Sequence, residues 1–199
     1  EEPDSKPQGS QLKINLLLDR LPRLKSGVEP ELAFAGTLHL AEDYSQLEAA
    51  YADAAAGRVP SVMPGEIYCH TLTDHSILGE APPDMHTLTY FGVHTPAALF
   101  ERDPEGAKQL AVERALAALD EHLVDPIASC LATDAAGRPC LEAKIPQDIE
   151  RDLAMPGGHI FHGEITPDQS HALRPLPGYA DYTTPLAGLY LFRSGAHPG

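Results

Sequence analysis

At 199 residues, 43% hydrophobic and 22% charged, the chain has the composition of a globular protein with one sizeable core. Its formal net charge of −15, from 14 Lys and Arg against 29 Asp and Glu, argues against nucleic acid and anionic membrane surfaces, which both need cations. No run approaches the roughly 18 apolar residues of a spanning helix, and the acidic, polar start EEPDSKPQGSQ is not a signal peptide but a disordered or linker stretch over residues 1–11.

The first element is LKINLLLD (12–19). Leu12, Ile14, Leu16 and Leu18 fall on one side, the period of a half-buried strand. LAFAGTLHL (32–40) is a second strand candidate. A helix follows in SQLEAAYADAAAG, where Ser45 and Glu48 have capping-box spacing. Leu47, Ala50, Tyr51 and Ala54 form its stripe, and Gly57 ends it. Strands are expected near 66–73 and 86–94, separated by the turn sequence APPD.

Asp103 and Pro104 open the longest helix, about 104–124, with Val112, Leu116, Leu119 and Leu123 as its buried stripe. A strand near 140–145, a short helix over 146–154 and a strand at 160–165 (IFHGEI) come next. Residues 166–187 read as an extended, proline-rich connection before a last strand, GLYLF. Helices do not alternate one for one with strands, so a doubly wound parallel sheet is excluded. The expected class is α+β, a mixed, largely antiparallel sheet with helices packed on one face.

Three cysteines, Cys69, Cys130 and Cys140, are an odd and sparse set. They suit reduced thiols in an intracellular, cytoplasmic setting rather than a disulfide framework. Ten histidines invite a metal site, yet there is no CxxC, HExxH or EF-hand loop. On a regular strand His162 and Glu164 share a face while His159 points away. Ser194 and His197 do not match a GxSxG elbow. The glycines of PGGHIF (156–161) and SGAHPG (194–199) serve either as turns or as points of close backbone approach to a planar ligand.

Read together, residues 145–199 carry a series of motifs. They are Pro146, Asp148, Ile149 and Glu150; Pro156 to His162; Asp168 and Gln169; Arg174, Pro175 and Pro177; Thr184 to Leu191; and Ser194 to Gly199. In order and spacing this resembles the carboxy-terminal region of the phytoene-dehydrogenase-like flavoproteins, including the pyridine nucleotide-disulphide oxidoreductase domain proteins. KINLLLDRLP (13–22) also resembles a strand of that family's substrate-side domain; between 23 and 144 the match is weak.

The resemblance implies a FAD-dependent oxidoreductase whose flavin domain is built from two separated stretches of chain. The first carries a GxGxxG after a strand, which is not found in these 199 residues. The second is a carboxy-terminal "HPGGG" loop. On this reading 12–186 is the substrate-side domain, and 187–199 is the truncated start of the returning flavin segment. The remainder of the flavin domain is the implied partner, and the fragment alone is inactive. The resemblance nominates Gly157, Gly158, Ser194, Gly195, His197 and Gly199 for the cofactor and His162 for a small, apolar or otherwise undefined substrate. It names no catalytic residue and no metal. Phe192 and Arg193 stand where the family has small residues. Arg193 there either pairs with a flavin phosphate or obstructs the usual loop path. The alternatives are a non-catalytic binding or assembly module that has lost the flavin, and an unrelated soluble enzyme.

Overall fold

A computed structural model describes residues 6–191 and 194–196. The chain divides into two compact units, one formed by Gln11–Ile145 and the other by the described parts of Glu1–Ser10 and Pro146–Gly199. The division falls inside the stretch 12–186 that the sequence presents as one domain.

The larger unit is built on β1 (Leu12–Leu18), whose burial alternates residue by residue as its leucines and isoleucine demand. β1 pairs antiparallel with β4 (His86–Gly92) on one side and β5 (Leu141–Lys144) on the other. β3 (Gly65–Tyr68) joins β4, and β2 (Leu38–Leu40) joins β3, both antiparallel. The sheet order is therefore β2-β3-β4-β1-β5, and the expected α+β architecture holds. The buried phase of β1 meets Ile67, Leu88 and Tyr90 in one hydrophobic cluster. Ala111, Ala115 and Leu119 of α3 (Pro104–Asp120) enter the same cluster, so the long helix covers this face of the sheet.

Several local expectations are corrected. Residues 32–40 are not one strand: Pro30–Ala33 form the short helix α1, started by a proline whose fixed φ suits a first helical position, and only Leu38–Leu40 pair. Helix α2 (Tyr44–Ala55) begins two residues before the expected box. Asp43 is its N-cap residue, and the Gln46 amide oxygen accepts the Asp43 N–H at 3.3 Å. Of its expected stripe only Ala50 is fully buried, and Tyr51 is 62% exposed. β3 stops at Tyr68, and His70–Leu72 turn as a 3-10 helix instead of continuing the strand.

In α3, Asp103 and Pro104 open the helix as expected. Leu119 and Leu123 of its expected stripe are buried, while in the first half Ala111 and Ala115 are the buried positions and Val112 and Leu116 flank them half-buried. The helix ends at Asp120; beyond it Leu123 bridges Leu24, and the Val124 N–H donates to the Arg23 carbonyl at 2.8 Å.

The smaller unit departs furthest from expectation. Helix α4 (Pro146–Leu153) forms, but 160–165 is a series of turns, not a strand. His162 has φ 60°, a left-handed conformation that a strand cannot contain, so the shared-face argument for His162 and Glu164 fails. The connection 166–187 holds two 3-10 turns, Pro167–Gln169 and His171–Leu173. Of the last expected strand, Tyr190 makes a single bridge to Thr183, and Phe192 lies outside the described residues. The three cysteines are free thiols.

Two close fits hold the larger unit in register. Gly65 and Gly92 are cross-strand partners, and the Tyr90 ring lies over both, in the space their side chains would take. The Tyr90 hydroxyl donates toward the carbonyls of Met63 at 3.3 Å and Pro64 at 3.1 Å. At the end of β3, the Thr71 hydroxyl accepts the Thr87 N–H at 3.1 Å and sits 3.0 Å from His86 Nδ1. Burial holds the His86 imidazole below the usual histidine range, and His75 beside it adds to that, against opposing pulls from Glu31 and Asp84.

Tyr90→Phe removes the hydroxyl from a buried site and should lower stability by roughly 1 kcal/mol or somewhat more. Gly92→Ala, which drives a methyl into the ring, should cost more; urea denaturation measures both. Because the folded protein disfavours protonated His86, the unfolded chain binds more protons just below pH ~6.5, and stability should fall as pH drops through that window. His94, also held low by burial, contributes a slope of the same sign. His86→Gln should flatten the pH dependence of the urea midpoint between neutrality and mild acid; an unchanged slope would remove His86 from this account.

Candidate functional site

The motif-bearing residues of the smaller unit gather around one turn. Leu153 ends α4, and Pro156–Gly158 form a 3-10 turn in which both glycines have positive φ, 61° and 66°. A side chain on Gly157 would collide with the Pro7 carbonyl, and one on Gly158 with the Pro146 carbonyl. The glycines thus let backbone pack on backbone. Gly9 continues the arrangement by donating its N–H to the Gly157 carbonyl at 2.9 Å.

Carboxylates take the amides that this turn leaves open. Glu150 Oε1 accepts the Gly157 N–H at 3.0 Å while its carboxylate pairs with Lys6 Nζ at 2.8 Å. Both contacts hold Glu150 below the ordinary carboxylate range, the Lys6 hydrogen bond contributing most. Glu164 Oε1 accepts the Gln8 N–H at 2.8 Å, and its other oxygen lies 3.6 Å from His159 Nε2. His159 Nδ1 accepts the Phe161 N–H at 3.2 Å, so in the neutral ring the proton resides on Nε2, toward Glu164.

His162 follows, exposed and held at positive φ by a bond from its N–H to the His159 carbonyl at 2.9 Å. Its side chain borders Gly195, where an added Cβ would sit 3.6 Å from His162 Cβ. Two sequence-nominated residues from stretches 33 positions apart are therefore neighbours. Ser194 and Gly195 are half-buried, and Ala196 is 3% exposed. His197 and Gly199, with Phe192 and Arg193, lie outside the described residues.

Arg174 is what links these segments, and the sequence marked it only as part of a motif. It is 9% exposed. Its Nε donates to the Ser194 carbonyl at 2.9 Å, Nη1 to the Glu164 carbonyl at 3.4 Å, and Nη2 to the Phe161 carbonyl. No carboxylate among the described residues pairs with it. A buried guanidinium satisfied by carbonyl dipoles keeps its full positive charge.

A second candidate surface belongs to the larger unit. The sheet face away from α3 carries a polar ladder: Thr89 Oγ1 donates to Asn15 Oδ1 at 3.2 Å, and Asn15 Nδ2 donates to Glu142 Oε2 at 3.2 Å. A cleft of about 600 Å³ opens beside it, lined by Asn15, Leu17, Thr87, Arg138, Cys140 and Glu142. Alternation in β1 marks Asn15 as outward-facing, but the pairing of Asn15 with Glu142, 127 residues away, has no local signal. Among the described residues no group of three His, Cys, Asp or Glu side chains could hold a metal ion, and no helix is long and apolar enough to cross a membrane.

Gly158→Ala combines positive φ with a collision against rigid backbone. It should destabilise the smaller unit by more than the roughly 1 kcal/mol expected where only the backbone conformation opposes a side chain. Gly178, with φ 86° and open space around it, supplies that comparison. Equal losses for Gly158→Ala and Gly178→Ala, measured by thermal unfolding, would show that the contact with Pro146 is unimportant.

No family model matches the chain. It is 47% identical over 161 residues, 79% of its length, to uncharacterised proteins of Mycobacterium tuberculosis and Mycobacterium bovis, and covers 30% of them. It is 35% identical over 197 residues, 94% of its length, to pyridine nucleotide-disulfide oxidoreductase domain-containing protein 2 of rat and mouse, and covers 32% of each. The chain thus spans about a third of the length of the curated relatives it matches. The rodent proteins, similar along nearly the whole chain, support the broad family of pyridine nucleotide-disulfide oxidoreductase domain proteins.

Proposed function

We propose that the chain is the substrate-side part of a FAD-dependent oxidoreductase resembling the phytoene dehydrogenases, inactive by itself and completed by the remainder of a flavin domain. The observation that carries this reading is the convergence of its motifs. The PGGHIFH turn, the RP-x-P arginine and the SGA loop, spread over residues 156–196, meet through Arg174 and through the His162–Gly195 contact. The likeness to the two rodent oxidoreductase domain proteins adds independent support.

The residues present suit a flavin at the Ser194–Ala196 loop, where a buried cation without a carboxylate partner favours a ligand that carries negative charge. When bound, FAD supplies the acceptor for a hydride or electron pair. In this proposal Ser194 and Gly195 meet the cofactor, and His197 and Gly199, outside the described residues, are nominated with them by the motif. Gly157 and Gly158 act through the turn that carries His162. His162, exposed beside Gly195, faces the substrate.

Surface chemistry fits a part that joins a larger body. Leu153, Leu176, Leu186 and Tyr190 are each at least 60% exposed within a unit of modest size. In this proposal these side chains are among those that the remainder of the flavin domain covers. The chain covers about a third of its relatives' length, and in this proposal a comparable remaining length supplies the covering part.

The full-length polypeptide should purify yellow, with visible flavin absorbance that survives desalting, and should carry a strand, a GxGxxG and a helix elsewhere in its sequence. The 199-residue chain should bind FAD weakly or not at all in a titration. Colourless full-length protein would favour a non-catalytic binding or assembly module. Tight, stoichiometric binding by the 199-residue chain would show that the cofactor half has been misplaced.

A further inference from the structure

We propose that Arg174 is a positioning residue for the flavin-side loop, fixing the 159–164 turn to Ser194–Ala196 so that His162 stands against Gly195. This rests on the flavin-enzyme reading above and gives the RP-x-P motif a role which that reading leaves open.

Burying a guanidinium is costly unless every donor direction is used. Here the planar fork reaches three carbonyls from two segments, those of Phe161 and Glu164 on one side and Ser194 on the other. An aliphatic or neutral side chain would fill the volume with less penalty if filling were the whole role. Lysine is not equivalent, because its ammonium is a compact point charge on a flexible stem and lacks the rigid fork of donors that reaches carbonyls on two segments.

The cation also explains how His162 keeps its strained conformation. Residues at positive φ persist when their surroundings over-determine them. The His162 N–H bonds to His159 inside the turn, and Arg174 grips the carbonyls of Phe161 just before it and Glu164 just after it. The backbone that carries the imidazole is therefore held on both sides of residue 162. Ser194, whose carbonyl takes the third bond, starts the loop proposed to meet the cofactor. Arg174 touches neither cofactor nor substrate in this scheme; it sets where two groups that do so stand.

The test uses the full-length polypeptide, with FAD titrated into deflavinated wild type, Arg174→Gln and Arg174→Lys. Both variants should bind FAD about 10-fold more weakly or worse, the usual scale for losing the support behind a binding shell. Any flavin retained should show an altered visible absorption band, which a merely stabilising residue far from the ring would not cause. Wild-type affinity and an unshifted band in either variant would overturn the proposal while leaving the flavin reading intact. A wild-type protein that takes up no FAD would overturn both.

Hydrogen exchange on the wild type avoids any folding defect of the variants. FAD should protect the amides of 161–164 and 194–196 together, since the guanidinium couples the two segments. Protection of 194–196 alone would count against Arg174.

Discussion

The larger unit depends on the alternation in β1. Leu12, Ile14, Leu16 and Leu18 all face the core, and the strand is bonded on both edges, to β4 and to β5. A shift of one residue would carry all four apolar side chains to the other face and bring Lys13 and Asn15 into the core. The cost of that exchange fixes the register of three strands at once. It also decides what the open face presents. Asn15 reaches Thr89 and Glu142 across the sheet because its neighbours in sequence are committed to the other side. The polar ladder and its adjoining cleft are thus consequences of the core pattern.

The smaller unit is held by different means. Its described residues contribute little to the main hydrophobic cluster, and its central turn is made of backbone packed on backbone at Gly157 and Gly158. Polar contacts then do what a core does elsewhere. Glu150 and Glu164 accept amides of the turn and of the amino-terminal segment, and Arg174 collects carbonyls from the far side. Such a structure is sensitive to single residues. A hydrophobic core can relax around one lost methyl group, whereas a carbonyl or amide left buried without a partner keeps its full desolvation penalty.

Period and caps made much of the larger unit legible. The β1 alternation, the Asp103–Pro104 helix start and the α+β class could be read because each follows from neighbours in sequence. Where tertiary contacts compete, the reading failed. In the long helix Leu119 and Leu123 are buried as expected, but the most buried positions of its first half are Ala111 and Ala115, with Val112 and Leu116 half-buried beside them. IFHGEI has the composition of a strand, yet among the described residues no partner strand meets it, and the bonds among His159, Phe161 and His162 curl it into turns. At the candidate site, the glycine and histidine positions stood out through motif resemblance. Arg174 was marked only as a motif member, because its role arises from carbonyls 10, 13 and 20 residues away.

Two features of the smaller unit are individually costly, a buried cation without a carboxylate partner among the described residues and large apolar side chains open to water. Each has a separate local explanation, but a local explanation leaves the other feature unexplained. On the proposed reading they share one cause. A docked flavin domain would, on this proposal, cover apolar side chains such as Leu176, Leu186 and Tyr190 and meet the Ser194–Ala196 loop. Where such contact displaces water, the positive charge of Arg174 acts more strongly on any anionic group brought to the loop. Apolar contact and cation would then be coupled. The apolar surface would supply the affinity that assembles the site, and the guanidinium would fix the geometry that the assembled site uses.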